Sequence, residues 1–221
     1  MSKSVRWLSR RGVGPLAAVV FLAACSGGGD ADAEAEAGLR GCEEVFGAAG
    51  VSKARSVVGD NKFQGVSTPW SSIARAMLKE ARQYDPDGED WTRSRHRPCE
   101  LSANGIEMRR RVEVNVKWSV FTMDTLSTGA DRGKWTKEAQ DVYVYKRVDA
   151  RTIKVIVPCK VSGTAPEQRN ALPLEVIVYT SPETGAEGDS LAATLLPSLV
   201  RTTQKHLGCE KPVSVPDVLV P

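Results

Sequence analysis

The sequence predicts an α+β domain, in which an antiparallel sheet of four or more strands carries helices on one or both faces and is crossed by two disulfides. Three observations lead to this. Val112, Val114, Val116, Trp118 and Val120 alternate with Glu113, Asn115, Lys117 and Ser119, the period of two of a strand with one face in a core and one in water. Trp70, Ile73, Ala74, Met77, Ala81 and Tyr84 recur at helical spacing. Four cysteines, Cys42, Cys99, Cys159 and Cys209, remain once Cys25 is set apart with the N-terminal segment. Composition agrees, since 41% of the 221 residues are hydrophobic and 26% charged, which excludes a disordered or fibrous chain.

Residues 1–24 read as a lipoprotein signal peptide. Lys3, Arg6, Arg10 and Arg11 precede an apolar run from Val13 to Ala24 that is short for a membrane span. Leu22-Ala23-Ala24-Cys25 resembles the bacterial lipobox: small residues let the backbone lie extended in a peptidase groove, and the thiol after the cut accepts a diacylglyceryl group. Two or more acyl chains, at about 0.8 kcal/mol per buried methylene, hold a protein on a membrane where one does not. Cys25 is therefore expected to be the lipid attachment point. Ser9-Arg10-Arg11 resembles the twin-arginine export signature, but Gly12-Val13-Gly14 lacks the bulky apolar pair that usually follows, so the export route stays open.

Residues 25–38, the lipidated Cys25 followed by Ser26–Gly38, contain glycines and four carboxylates with no aromatic or branched side chain, the composition of an acidic, flexible and extended tether. Such a tether reaches at most about 45 Å. Residues 39–210 have the length of one α+β domain, and 211–221, with three prolines, read as an extended C-terminal strap.

Within the domain Leu39, Cys42, Phe46 and Ala49 form a short helical pattern with a stop expected at Gly50. The Trp70 stripe follows Thr68 as N-cap and Pro69 at the first helical position, and ends at Asp85-Pro86. Ser94–Pro98 read as irregular. After the Val112 strand, further strands are expected at 141–148, 152–161 and 172–180, the first two of these joined by a turn near Asp149-Ala150. A last helix spans about Ser190–Leu207, with Leu191, Leu195, Leu196, Leu199, Val200 and Leu207 on its apolar face and Pro197 expected to kink or restart it.

An exported chain with four remaining cysteines is expected to pair them. Ile153, Val155, Val157, Cys159 and Val161 share the apolar face of their strand, so Cys159 points where the last helix packs, and Cys209 ends that helix after Gly208. The expected bridges are Cys159–Cys209 and, by remainder, Cys42–Cys99. No CxxC pair occurs and only His96 and His206 are present, so neither a zinc site nor another metal or cofactor site is expected.

Net charge is +3 overall, but the chain after the signal keeps 26 Lys and Arg against 27 Asp and Glu, a balance that disfavours nucleic acid as a partner. Arg93, Arg95, Arg97, Arg109, Arg110 and Arg111 flank Cys99 and, if gathered by its disulfide, form a patch for anionic lipid headgroups or wall polymers. Asp85–Asp90 concentrates carboxylates without calcium-loop spacing and reads as a solvated turn. Gly188-Asp189-Ser190-Leu191 spells the GDSL esterase signature, but it opens the last helix with Asp189 as an N-cap, and the only later histidine, His206, is four turns away on that helix. No catalytic residue is assigned.

The lipobox, the acidic tether, a cysteine on an early helix, a second before a Trp-bearing strand, a third on a strand and a fourth after the last helix resemble the layout of actinobacterial cell-surface lipoproteins that carry a domain of unknown function. That resemblance implies a PsbP-like α/β sandwich serving as a non-catalytic binding or accessory module. With Cys25 as the anchor, the chain is expected at the cell membrane, lipid-anchored on the extracytoplasmic face, with an envelope protein, wall polymer or small ligand as partner. The alternatives are a solute-binding lipoprotein of a transporter, for which the chain is short, and a cell-envelope hydrolase, for which a triad is missing.

Overall fold

The computed structural model describes residues 29–88, 93–104, 109–129, 134–147 and 151–219. The export segment, Cys25 and the Asp149-Ala150 turn lie outside the described residues. Seven strands form one antiparallel sheet in the order β1-β2-β3-β7-β6-β5-β4: β1 (Gln64–Ser67), β2 (Cys99–Asn104), β3 (Arg109–Trp118), β4 (Thr136–Ala139), β5 (Val142–Arg147), β6 (Thr152–Val157) and β7 (Leu174–Thr180). The longer helices are α1 (Gly29–Val58), α2 (Trp70–Arg82) and α5 (Gly185–Leu207), with short α3 (Met123–Thr128) and α4 (Gln168–Ala171) between strands. The α+β class and both disulfides are as the sequence predicts.

Alternation on β3 decides the layering. Val112, Val114, Val116 and Trp118 are all fully buried on the side where α1 lies over β1 and β2 and α5 over β7 and β6. Trp118 belongs there because its indole nitrogen finds a partner, donating to the Met77 carbonyl of α2 at 3.0 Å. The strand ends at Trp118, and Val120, expected on its core face, is 56% exposed. Ser119 explains the turn, since its hydroxyl accepts from Phe121 N and its own N–H goes to the Pro173 carbonyl.

Four expectations are corrected. From Gly29 the backbone is helical, so the stretch to Gly38 is not an extended tether. Alanine alternating with acidic residues propagates a helix by local propensity, which needs no buried surface. The break in α1 falls at Gly47, not Gly50: Gly47 has φ 73° and ψ 160°, a backbone that L side chains rarely adopt, whereas Gly50 is helical and packed against Phe46 and Leu195. α5 begins at Gly185, following the 3₁₀ turn Pro182–Thr184, so Asp189 lies in its second turn and is not its N-cap. Pro197 sits inside α5 without ending it, and Gly208, left-handed at φ 61°, closes the helix while Cys209 N donates back to the Gln204 carbonyl. α2 starts one residue late, at Trp70, with Pro69 flanking it.

Two close contacts seat the helices. α1 crosses β1 at Gly38 and Gly65, where a Cβ on Gly38 would stand 1.8 Å from the Gly65 carbonyl oxygen. A Cβ on Gly188 would meet Thr184 Oγ1 at 2.1 Å and lie 3.2 Å from Thr180 Cβ, so α5 approaches β7 through its glycine. The bridges sit alongside. Cys42–Cys99 ties α1 to the first residue of β2, with Cα atoms 5.2 Å apart. Cys159–Cys209 ties the segment after β6 to the end of α5, with Cα atoms 5.0 Å apart. Gln168, itself fully buried, fixes the first of these segments by accepting from Val161 N and donating to the Cys159 and Leu172 carbonyls.

Beyond α5, residues 211–219 form neither helix nor strand, and Val215 and Leu219 are buried. Arg201 holds this segment by donating to the Val215 carbonyl at 2.7 Å and pairing with Asp217 at 2.6 Å. Among the described residues no helix is long and apolar enough to cross a membrane.

Candidate functional site

The sheet has a second face, and its two ends differ. Toward β4 and β5 it is closed by an apolar cluster of Met123 and Leu126 of α3 with Trp135, Tyr143 and Ile156, against which Phe121 and Tyr145 pack. Across β3, β7 and β6 it is polar. The odd-numbered residues of β3 fall on this face by the same alternation that buries the valines, and the registers set them in rows. Glu113 lies opposite Tyr179 and Tyr179 opposite Thr152; Asn115 opposite Ile177 and Ile177 opposite Lys154; Lys117 opposite Glu175 and Glu175 opposite Ile156.

The middle rows form the floor of a cleft of about 290 Å³, with Asn115, Ile177, Thr152 and Tyr179 among its lining residues. Three cations line it as well: Arg111 from β3, Lys154 from β6 and Arg95 from the segment before β2. That segment, expected to be irregular, is pinned to the sheet by a bridge in which His96 and Val116 exchange both backbone hydrogen bonds, at 2.9 and 2.8 Å. On the helix side His96 Nε2 approaches Glu80 at 3.4 Å, and Ser94 N donates to the same carboxylate.

Neighbouring groups orient the cations. The Arg111 guanidinium stands 5.1 Å over the Tyr179 ring. Lys154 lies 3.7 Å from Glu175 Oε1 and 5.7 Å from the Tyr145 ring. Glu175 is only 1% exposed and takes its nearer cation, Lys117, at 3.2 Å. Glu113, the acid in the cleft, accepts from Asn115 Nδ2 at 2.8 Å.

Of the six arginines singled out in the sequence, the structure brings Arg95 and Arg111 together. Arg97 turns to Glu100, a buried carboxylate on β2. Arg110 alternates with Arg111, is exposed and does not line the cleft. Arg93 is half-buried, and burial holds its guanidinium below the usual arginine value while Tyr84 acts the other way. The Arg109 side chain lies outside what is described. Lys154, 43 residues beyond Arg111 in the chain, is the cleft cation that the sequence does not single out. Its signal was present in the period of two that sets Thr152 and Lys154 opposite the apolar face of β6.

The GDSL-like stretch has a structural account. Gly188 gives α5 its close approach, Asp189 pairs with Arg151 at 3.3 Å, Ser190 is exposed, and Leu191 is fully buried. His206 stacks on Trp70, with ring centroids 4.9 Å apart, on the same continuous helix. Sixteen residues of helix put Ser190 and His206 about 24 Å apart, outside hydrogen-bond reach. Asp85 caps its own turn by accepting from Asp87 N at 3.1 Å, while Glu89, Asp90 and Trp91 lie outside the described residues. Among the described residues no three or more His, Cys, Asp or Glu side chains are grouped as a metal site would require.

A larger groove, about 800 Å³, runs between the end of α5 and the C-terminal segment, lined by Arg201, Gln204, Lys205 and the stretch 212–217. Its charges are mixed and Arg201 is already committed to Asp217, so the convergence of cations lies at the smaller cleft. Comparison with protein-family models, curated proteins and solved structures finds no match for this chain.

Proposed function

We propose that this protein is a lipid-anchored module displayed on the extracytoplasmic face of the cell membrane. In this reading Cys25 carries the lipid, and the polar face of the sheet binds an anionic partner of the envelope without performing chemistry on it. The observation that supports it is the convergence of Arg95, Arg111 and Lys154 on one cleft of an otherwise well-packed domain. Charged groups held on a rigid sheet confer orientation and fast encounter with an oppositely charged partner.

Two measurements test this. Full-length chain expressed in its own host is expected in the membrane fraction and to incorporate a clickable fatty-acid analogue, both lost in Cys25→Ser. A photocrosslinking side chain placed at Tyr179 is expected to capture an envelope component that the same group at exposed Val218 does not. Membrane retention and acyl labelling in Cys25→Ser, or identical capture from both positions, would overturn the reading. The 800 Å³ groove favours a second reading, a solute-binding lipoprotein, because its volume falls in the range of small-ligand sites. Native mass spectrometry of the chain from its envelope would show a bound small molecule in that case.

A further inference from the structure

We infer that the cleft on the sheet face is a phosphate-binding site, taking the phosphate of a monoester or diester between Arg95, Arg111 and Lys154; this rests on the binding-module reading and names its ligand class. Charge comes first. Three cations and one acid line the cleft, and the acid, Glu113, is already engaged by Asn115 at 2.8 Å. The surplus is positive and exceeds what a single carboxylate balances.

Direction comes second. The cations stand on three separate backbone segments, β3, β6 and the stretch pinned by the His96 bridge. A carboxylate presents two oxygens in one plane. A phosphate presents oxygens in several directions, which suits donors arriving from different sides of a floor. Arg111 stands 5.1 Å over the Tyr179 ring, a contact that braces its guanidinium at the cleft it lines. Lys154 is held loosely, 3.7 Å from Glu175, whose shorter ion pair is with Lys117 at 3.2 Å, so the ammonium retains donors to give.

Size comes third. A cleft of about 290 Å³ accepts a phosphate with a small substituent, so an acyl chain or a polymer would continue outside it. The same phosphate chemistry arises from a lipid headgroup and from a soluble phosphate ester.

The test uses the ¹⁵N-labelled full chain at constant ionic strength, titrated with inorganic phosphate, glycerol phosphate and acetate. Expected are saturable shifts of the Arg111, Asn115, Lys154 and Tyr179 amides with both phosphates, at least tenfold weaker with acetate. Arg111→Gln and Lys154→Gln are each expected to weaken phosphate at least tenfold with an unchanged melting temperature, and Glu113→Gln to strengthen it. Equal response to acetate, shifts that do not saturate, or affinities unmoved in Arg111→Gln and Lys154→Gln would overturn the assignment. Vesicles of phosphatidylglycerol in phosphatidylcholine then separate the sources: displacement of bound glycerol phosphate identifies a lipid headgroup, and its retention a soluble ester. A chain that ignores phosphate yet still captures an envelope component at Tyr179 sinks the phosphate assignment alone. One that binds phosphate but captures nothing sinks the module reading and leaves the site standing.

Discussion

Replacing Cys159 and Cys209 together by alanine is expected to cost about 4 kcal/mol of stability. The bridge closes a segment with a sequence separation of 50. In the chain-entropy model a loop of that length lowers the entropy of the unfolded chain by about 14 cal/mol/K, or about 4 kcal/mol at 25 °C. The same arithmetic for Cys42–Cys99, with a separation of 57, gives about 4 kcal/mol again, because the dependence on length is logarithmic. Cys42, Cys99 and Cys159 are fully buried and Cys209 is 8% exposed, so alanine, which brings no hydroxyl into the core, is the substitution that isolates the cross-link. The assay is urea unfolding of the full chain and of each paired-alanine variant, read by tryptophan fluorescence and extrapolated to water. The extrapolated value decides, since removing a cross-link also expands the unfolded chain and raises the slope. Losses below about 1 kcal/mol, or losses for the two bridges differing by more than about 2 kcal/mol, would refute loop closure as their main contribution.

Gly65→Val is expected to lower stability by about 2 kcal/mol or more, because its Cβ would stand 2.9 Å from the Gly38 carbonyl carbon and the helix must lift off β1; a thermal melt measures it. Lys117→Met leaves Glu175, 1% exposed, with only the more distant Lys154, and is expected to cost about 2 kcal/mol at neutral pH, checked by urea unfolding. Arg201→Ala removes the hydrogen bond to Val215 and the exposed pair with Asp217, and is expected to cost about 1 kcal/mol. The same variant should speed hydrogen exchange in 212–219 while leaving the β3 and β7 amides unchanged.

The sequence was most legible where one strong period operated alone. The valines of β3 and the alternation from Ile153 to Cys159 place the core face, and with it Cys159–Cys209, even though β6 ends at Val157 and Cys159, two residues on, keeps the buried side without being in the strand. Legibility failed at short polar strands. β1 and β4 carry no hydrophobic alternation, and in β2 Cys99, Leu101 and Ala103 do alternate with Glu100, Ser102 and Asn104, but the run is short and has Leu101 as its one large apolar side chain. Cys99, expected just before the long strand, is the first residue of β2. The cleft was half legible. Arginines close in sequence drew attention to Arg95 and Arg111, but Lys154 joins them through the β3-β7-β6 pairing, and no sequence separation of that kind announces itself.

The Cys42–Cys99 bond also has a mechanical consequence. A pull on the chain N-terminal to Cys42 travels down α1 and then divides between the backbone and the disulfide, and the covalent bridge is the shorter route. Tension enters the sheet at the first residue of β2, next to β3, and bypasses the 57-residue span that contains the rest of α1, β1 and α2. In the oxidised chain the backbone of those elements carries none of the tension of a tug from that end, and β1 feels it only through the Gly38–Gly65 contact, which lies before the bridge. After reduction the same tug would run through the backbone of the rest of α1, β1 and α2 and unravel them first, and force would then report the redox state of a single bond.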